Sequence, residues 1–272
     1  MSDLEFPPMN FFDELEKIQQ RIKGKRVLLF LDYDGTLTPI VKTPDLAVIS
    51  SEMRELVRQA SQVTTVSIVS GRATDDVREK VGIKGIFYAG SHGFEIVDPH
   101  GRVTINEEAK KVKSVIAEVH TKLSKKLEEV RGALVENVKY TISCHYRLVS
   151  DKDVHLVEFA VNKVLQDYPS LRKTDGKKVF EIRPRIDWDK GKAVEWIMDY
   201  LGYDRKKDLP VYVGDDTTDE DAFRVLKGRG IGIFVSNDIR PSEAEYIVND
   251  TSDVRRILKF FLETAKEVAK KS

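Results

Sequence analysis

The sequence predicts an α/β fold: a three-layer core built on a parallel sheet, with a separate α+β module inserted in the middle of the chain. Three observations carry this. Short, nearly continuous apolar runs recur at 26–34 (RVLLFLDYD), 65–71 (TVSIVSG), 86–90 (IFYAG), 210–214 (PVYVG) and 231–235 (IGIFV), as strands buried on both faces of a parallel sheet require. Helical patterns lie between them, including 51–60 and 193–201, so the connections read as right-handed crossovers that put helices on the sheet faces. Between 102 and 183 the rhythm changes to helix, hairpin, helix, hairpin.

In chain order, Phe12, Leu15, Ile18 and Ile22 fall at helical spacing before Gly24, predicting an amphipathic helix that a glycine ends. Within the inserted module, 107–130 reads as a long charged helix, 133–139 and 140–147 as paired strands, 154–168 as a second helix and 171–183 as a hairpin. The expected turn of that hairpin is Asp175-Gly176, whose residues tolerate positive φ. Val254, Ile257, Leu258, Phe261 and Leu262 predict a closing helix. The expected division is core 1–101, inserted module 102–183 and core again 184–272.

Composition narrows the function classes. With 41% hydrophobic and 33% charged residues among 272, the chain is that of a globular protein, and no apolar run approaches the roughly 20 residues of a membrane span. Lys+Arg 45 balances Asp+Glu 45, so no global positive field argues for nucleic acid and an anionic ligand must meet a local cluster. Cys144 is the only cysteine and lies in an apolar, strand-like stretch; it is expected to be a small buried residue, with no internal disulfide. The first 18 residues carry acids early and no uninterrupted apolar core, unlike a secretory signal. A cytoplasmic monomer is the expectation.

The chemistry-bearing residues stand at strand ends. Asp32-Tyr33-Asp34-Gly35-Thr36 follows the most apolar run, and the carboxyl ends of strands are where open α/β sheets build sites. Two carboxylates two residues apart can divide the work, one attacking phosphorus or binding a metal, the other handling a proton. The acidic run 214–221 (GDDTTDED) follows another apolar strand; such density costs repulsion that a hard cation such as Mg²⁺ offsets. Ser70-Gly71-Arg72 ends a third strand with a hydroxyl, a close-approach backbone and a guanidinium, all suited to phosphate oxygens. Lys190-Gly191 opens the helix at 193–201, where an ammonium joins a helix N-terminus. Taken singly, each has a bland reading: an ordinary turn, an acidic helix start or a solvated lysine.

The order Asp-x-Asp-Gly-Thr, Ser, Lys, Gly-Asp-Asp-x-x-Asp resembles the four motifs of haloacid dehalogenase-type phosphohydrolases, which have a Rossmann-like core. The resemblance implies that Asp32 attacks phosphorus, Asp34 protonates the leaving oxygen and then activates water, and Ser70 and Lys190 hold phosphoryl oxygens. It further implies Mg²⁺ bound by Asp32, the Asp34 carbonyl and Asp215, supported by Asp216 and Asp219. The inserted αββαββ module resembles a cap that selects the leaving group. FLDYDGTLTPI (30–40), GSHGFEI (90–96), ENVKYTISCHYR (136–147), FEIRP (180–184) with DWDKGKAVEW (187–196) and GDDTTDEDAF (214–223) are similar to the trehalose-6-phosphate phosphatases, closest to plant-type enzymes. That resemblance implies Glu136, Lys139, Arg147, Lys177 and Glu181 on the sugar from the cap, with Gly71, Arg72 and His92 approaching from the core. It differs from longer family members in showing no glycosyltransferase domain. His145 reads as a packed strand residue. Competing expectations are a phosphatase of the same fold acting on sucrose phosphate or mannosylglycerate phosphate, and a catalytically silent domain that senses sugar phosphates.

Overall fold

A nine-stranded sheet runs through the larger part of the protein, seen here in a computed structural model that describes residues 7–271. Its strand order is Met9–Asn10, Tyr246–Val248, Ile231–Val235, Asp208–Gly214, Arg26–Leu31, Thr65–Val69, Phe87–Gly90, Glu95–Val97 and Val103–Ile105. The first seven pair in parallel, and the last two add an antiparallel extension. The apolar runs explain the burial. Leu28, Leu29, Phe30 and Leu31 are all fully buried, because successive side chains enter opposite layers. Leu29 and Leu31 pack with Val57, Val211, Val213 and Ile257 on one side; Leu28 and Phe30 pack with Val69, Val194, Ile197 and Phe223 on the other. Helices Ser51–Val63 and Thr251–Lys271 cover the first face, and Lys190–Tyr200 and Glu220–Leu226 the second. Each buried leucine here contributes about 1.5–3 kcal/mol.

A separate antiparallel sheet has the order Leu134–Asn137, Ile142–His145, Val179–Pro184, Leu171–Gly176. Helices Glu107–Leu127 and Val154–Leu165 cover one face, packing Ile116, Val119, Leu123, Val157 and Val161 on Ile142, Cys144, Phe180 and Ile182. The two-residue period then turns Glu136, Ser143, His145, Val179 and Glu181 to the opposite face, toward the larger sheet. Cys144 is the buried core residue expected, its thiol pushed up to about 12 by burial.

Three details differ from the sequence reading. The hairpin turns at Lys177-Lys178: Gly176 pairs with Val179 and Asp175 with Phe180 inside the ladder, and Lys178 takes the positive φ of 66°. An Asp-Gly pair is a strong local turn signal, but the register that buries Phe180 and Ile182 outweighs it. Val103–Ile105 pairs with Glu95–Val97 in the large sheet, so the smaller unit begins at the helix Glu107–Leu127. The short strands Glu95–Val97 and Tyr246–Val248 were not anticipated, since three residues carry too little periodicity. Among the described residues no helix is long and apolar enough to cross a membrane.

Candidate active site

Asp32, Ser70 and Asp215 each follow one of three adjacent parallel strands, so the sheet delivers them to one carboxyl-terminal edge. Lys190 is the first residue of its helix, which Asp189 caps by accepting from the Lys192 amide at 2.8 Å. From there the Lys190 ammonium donates to Asp32 Oδ1 at 2.9 Å and Asp219 Oδ1 at 2.7 Å, all three groups being buried. Burial opposes the charge on Lys190, yet Asp219 and Asp32 outweigh it and hold the ammonium protonated. For Asp32, burial dominates and raises its pKa well above the usual range, with Lys190 opposing and Asp219 and Asp215 adding repulsion.

Asp219 is saturated with donors: Lys190 and the Tyr212 hydroxyl (2.6 Å) on Oδ1, and the Asp215 and Asp216 amides (2.9 Å each) on Oδ2. It therefore orients the acidic loop and the lysine. Tyr212, which the sequence reading passed over, lies two residues before the motif with an inward hydroxyl. Asp216 caps the turn Thr217–Asp219 and lines the cleft. Gly35, at φ 78°, is obligatory, because a Cβ there would stand 2.0 Å from Asp215 Oδ2.

Asp32, Asp215 and Asp219 each offer a carboxylate oxygen within 4.8 Å of the others. Among the described residues, the cations paired with these three buried acids are the ammonium groups of Lys190 and Lys177. Burial pushes Asp215 up to about 7, Asp219 adding to the shift and Lys177 opposing it. An oxygen-only, charge-deficient cluster of this kind fits a hard divalent cation.

Around these groups lies a cleft of about 150 Å³ between the two sheets, lined by Asp32, Asp34, Arg72, Glu136, Arg147, Lys177, Glu181, Lys190 and Asp215 among others. The loop at 40–44 adds the apolar side chains of Ile40, Val41 and Pro44. Gly71 and His92 line it in close approach; a Cβ at 71 would lie 2.8 Å from the imidazole. Buried His92 contacts Glu181 Oε1 at 3.2 Å and the Arg183 guanidinium at 2.9 Å, and Arg183 also donates to Glu181. The same Arg183 Nη2 lies within 3.0 Å of both ring nitrogens, so the guanidinium faces the imidazole while Nε2 also faces Glu181. Glu136 accepts from His145 at 3.0 Å, so His145 belongs to the cleft and not to the packed layer.

Two assignments implied by the resemblance read differently in the structure. Lys139 lies outside the cleft lining: its ammonium bridges Asp75 (2.7 Å) and Glu95 (3.0 Å) on the large-sheet unit. Its backbone, at φ 64°, turns the side chain that way, and the carbonyl of neighbouring Val138 accepts from Ser91 Oγ at 2.6 Å. Arg72 lines the cleft but spends its N–H groups on Asp34, Asp76 and the Pro44 carbonyl. Ser70 is buried behind Gly71, its hydroxyl accepting from the Arg72 amide at 3.2 Å.

The Asp32 strand end, the adjacent acidic loop, the buried lysine and the inserted four-stranded unit define a phosphomonoester hydrolase on a haloacid dehalogenase-like fold. Comparison with known proteins agrees and goes further. Residues 30–252 match the family model described as trehalose-phosphatase. The chain is 45% identical to "Probable trehalose-phosphate phosphatase D" of Arabidopsis thaliana over 91% of its own length and 70% of that protein. It is 43% identical to "Trehalose 6-phosphate phosphatase RA3" of Zea mays over 90% and 72%. Among solved structures, the C-terminal domain of C. albicans trehalose-6-phosphate phosphatase superposes with a TM-score of 0.79 at 23% identity, covering 96% of this chain and 99% of that one. The chain belongs to the trehalose-phosphatase family.

Proposed function

We propose that this protein hydrolyses trehalose 6-phosphate to trehalose and phosphate through an aspartyl-phosphate on Asp32. The observation that carries the reading is the Lys190 ammonium, which locks Asp32 beside Asp215 at a strand end that opens into the cleft. An Asp32 oxygen attacks phosphorus while the bond from phosphorus to the sugar oxygen breaks, and Asp34 delivers the proton that this oxygen takes. Asp34 then removes a proton from water as the water oxygen attacks phosphorus, which releases phosphate and restores the Asp32 carboxylate. The Gly71 backbone and Lys190 steady the phosphoryl oxygens, with Ser70 holding that loop through the Arg72 amide. Asp32, the Asp34 carbonyl and Asp215 would hold Mg²⁺, whose charge would offset that of the phosphoryl oxygens; Asp219 keeps the loop in place and Asp216 sits at the rim. Glu136, Arg147, Lys177 and Glu181 form the wall toward the sugar, and residues 107–184 act as the cap that closes over it. One reduced, buried cysteine suits a cytoplasmic setting.

The direct test is phosphate release from trehalose 6-phosphate beside glucose 6-phosphate and sucrose 6-phosphate, with Mg²⁺ and after EDTA. Turnover should be fastest on trehalose 6-phosphate and should vanish with chelator. Equal or faster turnover of sucrose 6-phosphate would assign the site to another phosphosugar, and no turnover of any would favour a sensing domain.

A further inference from the structure

The tip of the cap hairpin is fastened to the acidic loop of the core. Lys177, the first residue of the two-residue turn, places Nζ 2.5 Å from Asp215 Oδ2, crossing from one sheet to the other. Beside it, the Thr217 hydroxyl donates to the carbonyl of Asp175 at 3.3 Å, so the same tip meets the same loop twice. The Arg147 guanidinium donates to the Lys177 carbonyl and steadies the turn. With these contacts made, the cleft measures about 150 Å³, well under the roughly 300 Å³ at which ligand pockets begin. Lifting the tip would widen the cleft toward the space a phosphorylated disaccharide occupies.

An ammonium and a divalent cation seek the same carboxylate oxygen. We propose that Lys177 competes with the divalent cation for Asp215, so that metal binding unfastens the hairpin tip and frees the cap to admit substrate. The inference rests on Asp215 being a metal ligand, as read above. Linkage makes it reciprocal: whatever the fastened tip costs the metal in affinity, the metal costs the fastened tip in population. The same event turns Lys177 from a partner of Asp215 into a free cation facing the incoming phosphosugar. Order of binding follows, metal first and sugar phosphate second.

The test is calorimetric titration of Mg²⁺ into the wild-type protein, Lys177→Met, Lys178→Met and Asp215→Asn, with hydrogen exchange followed at the hairpin. Lys178 removes the same charge one residue along; its ammonium is 3.9 Å from Asp151, on the outer side of the turn. Lys177→Met should bind Mg²⁺ at least about fivefold more tightly than wild type, and Lys178→Met should match wild type. Amides 175–178 should exchange faster in wild type when Mg²⁺ is added, and fast in Lys177→Met with or without it. Unchanged or weaker affinity in Lys177→Met overturns the coupling, as does an equal gain in both lysine variants, which would reflect net charge alone. Wild-type affinity in Asp215→Asn, or no binding by wild type, overturns the metal reading and the coupling with it.

Discussion

Arg72 grips Asp34 with a two-pronged fork, Nε to Oδ2 at 2.6 Å and Nη2 to Oδ1 at 2.8 Å. The same guanidinium donates to Asp76 and to the Pro44 carbonyl at 2.8 Å each, and lies 5.3 Å from the centre of the Tyr33 ring. Four of its five N–H groups are thereby engaged within the protein, which makes Arg72 a positioning residue for the proposed acid–base carboxylate. Lysine keeps the charge but not the fork. Arg72→Lys should lower kcat by roughly tenfold to a hundredfold with little change in KM. A raised KM at unchanged kcat would return Arg72 to direct substrate contact.

Asp32→Asn preserves shape and one hydrogen bond from Lys190 while removing the attacking charge. The variant should fold and lose at least about a thousandfold in turnover. The check is steady-state phosphate release together with a melting curve. Activity above a few per cent of the wild-type value would exclude Asp32 as the nucleophile.

His92 should weaken the fold on the acid side, against Asp32 and Asp215, whose raised pKa values act with the opposite sign. Burial first, then Arg183, pushes the His92 pKa down to about 4, against about 6.5 in an unfolded chain. At this site the unfolded state therefore binds more protons between these values, and the His92 contribution to stability declines as pH falls from 6.5 toward 4, by about 2–3 kcal/mol at pH 4.5. Glu181 acts with the same sign: burial opposes its charge, but Arg183 and His92 outweigh it and hold the carboxyl below its ordinary range. That stabilisation is present above the ordinary carboxylate pKa and is lost on further acidification. Denaturation at pH 7 and pH 4.5 should show a smaller loss in His92→Asn than in wild type; asparagine tolerates the φ of 57° at this position. Equal losses would remove His92 as the source.

Lys139 should prove a fastener between the two units. Its loss leaves Glu95, 6% exposed, with the Tyr140 hydroxyl at 3.4 Å as its side-chain donor among the described residues. Lys139→Met should cost on the order of 1–2 kcal/mol, seen as a lowered melting temperature, while KM for trehalose 6-phosphate shifts less than twofold. An unaltered melting temperature with a tenfold rise in KM would put Lys139 back on the sugar.

The layered core was legible because its signals are local and redundant. Strands such as Arg26–Leu31 are apolar at every position after the first, and strand ends are where an open parallel sheet gathers its chemistry, so Asp32, Ser70 and Asp215 could be placed from the sequence. The order of motifs added Lys190, and the changed rhythm after residue 102 announced the inserted unit. What tertiary structure decided is where long or turning side chains point. Lys139 and Lys177 carry the same group on turns at opposite ends of one small sheet, yet one bridges Asp75 and Glu95 and the other reaches Asp215. Likewise Asp175-Gly176 has the composition of a turn but lies in a ladder, because one residue of slippage would bury the wrong face of its strand. Residue type determines which interactions a position can make; only the packed chain brings a particular partner within 3 Å, and for flexible charged side chains that partner determines the role.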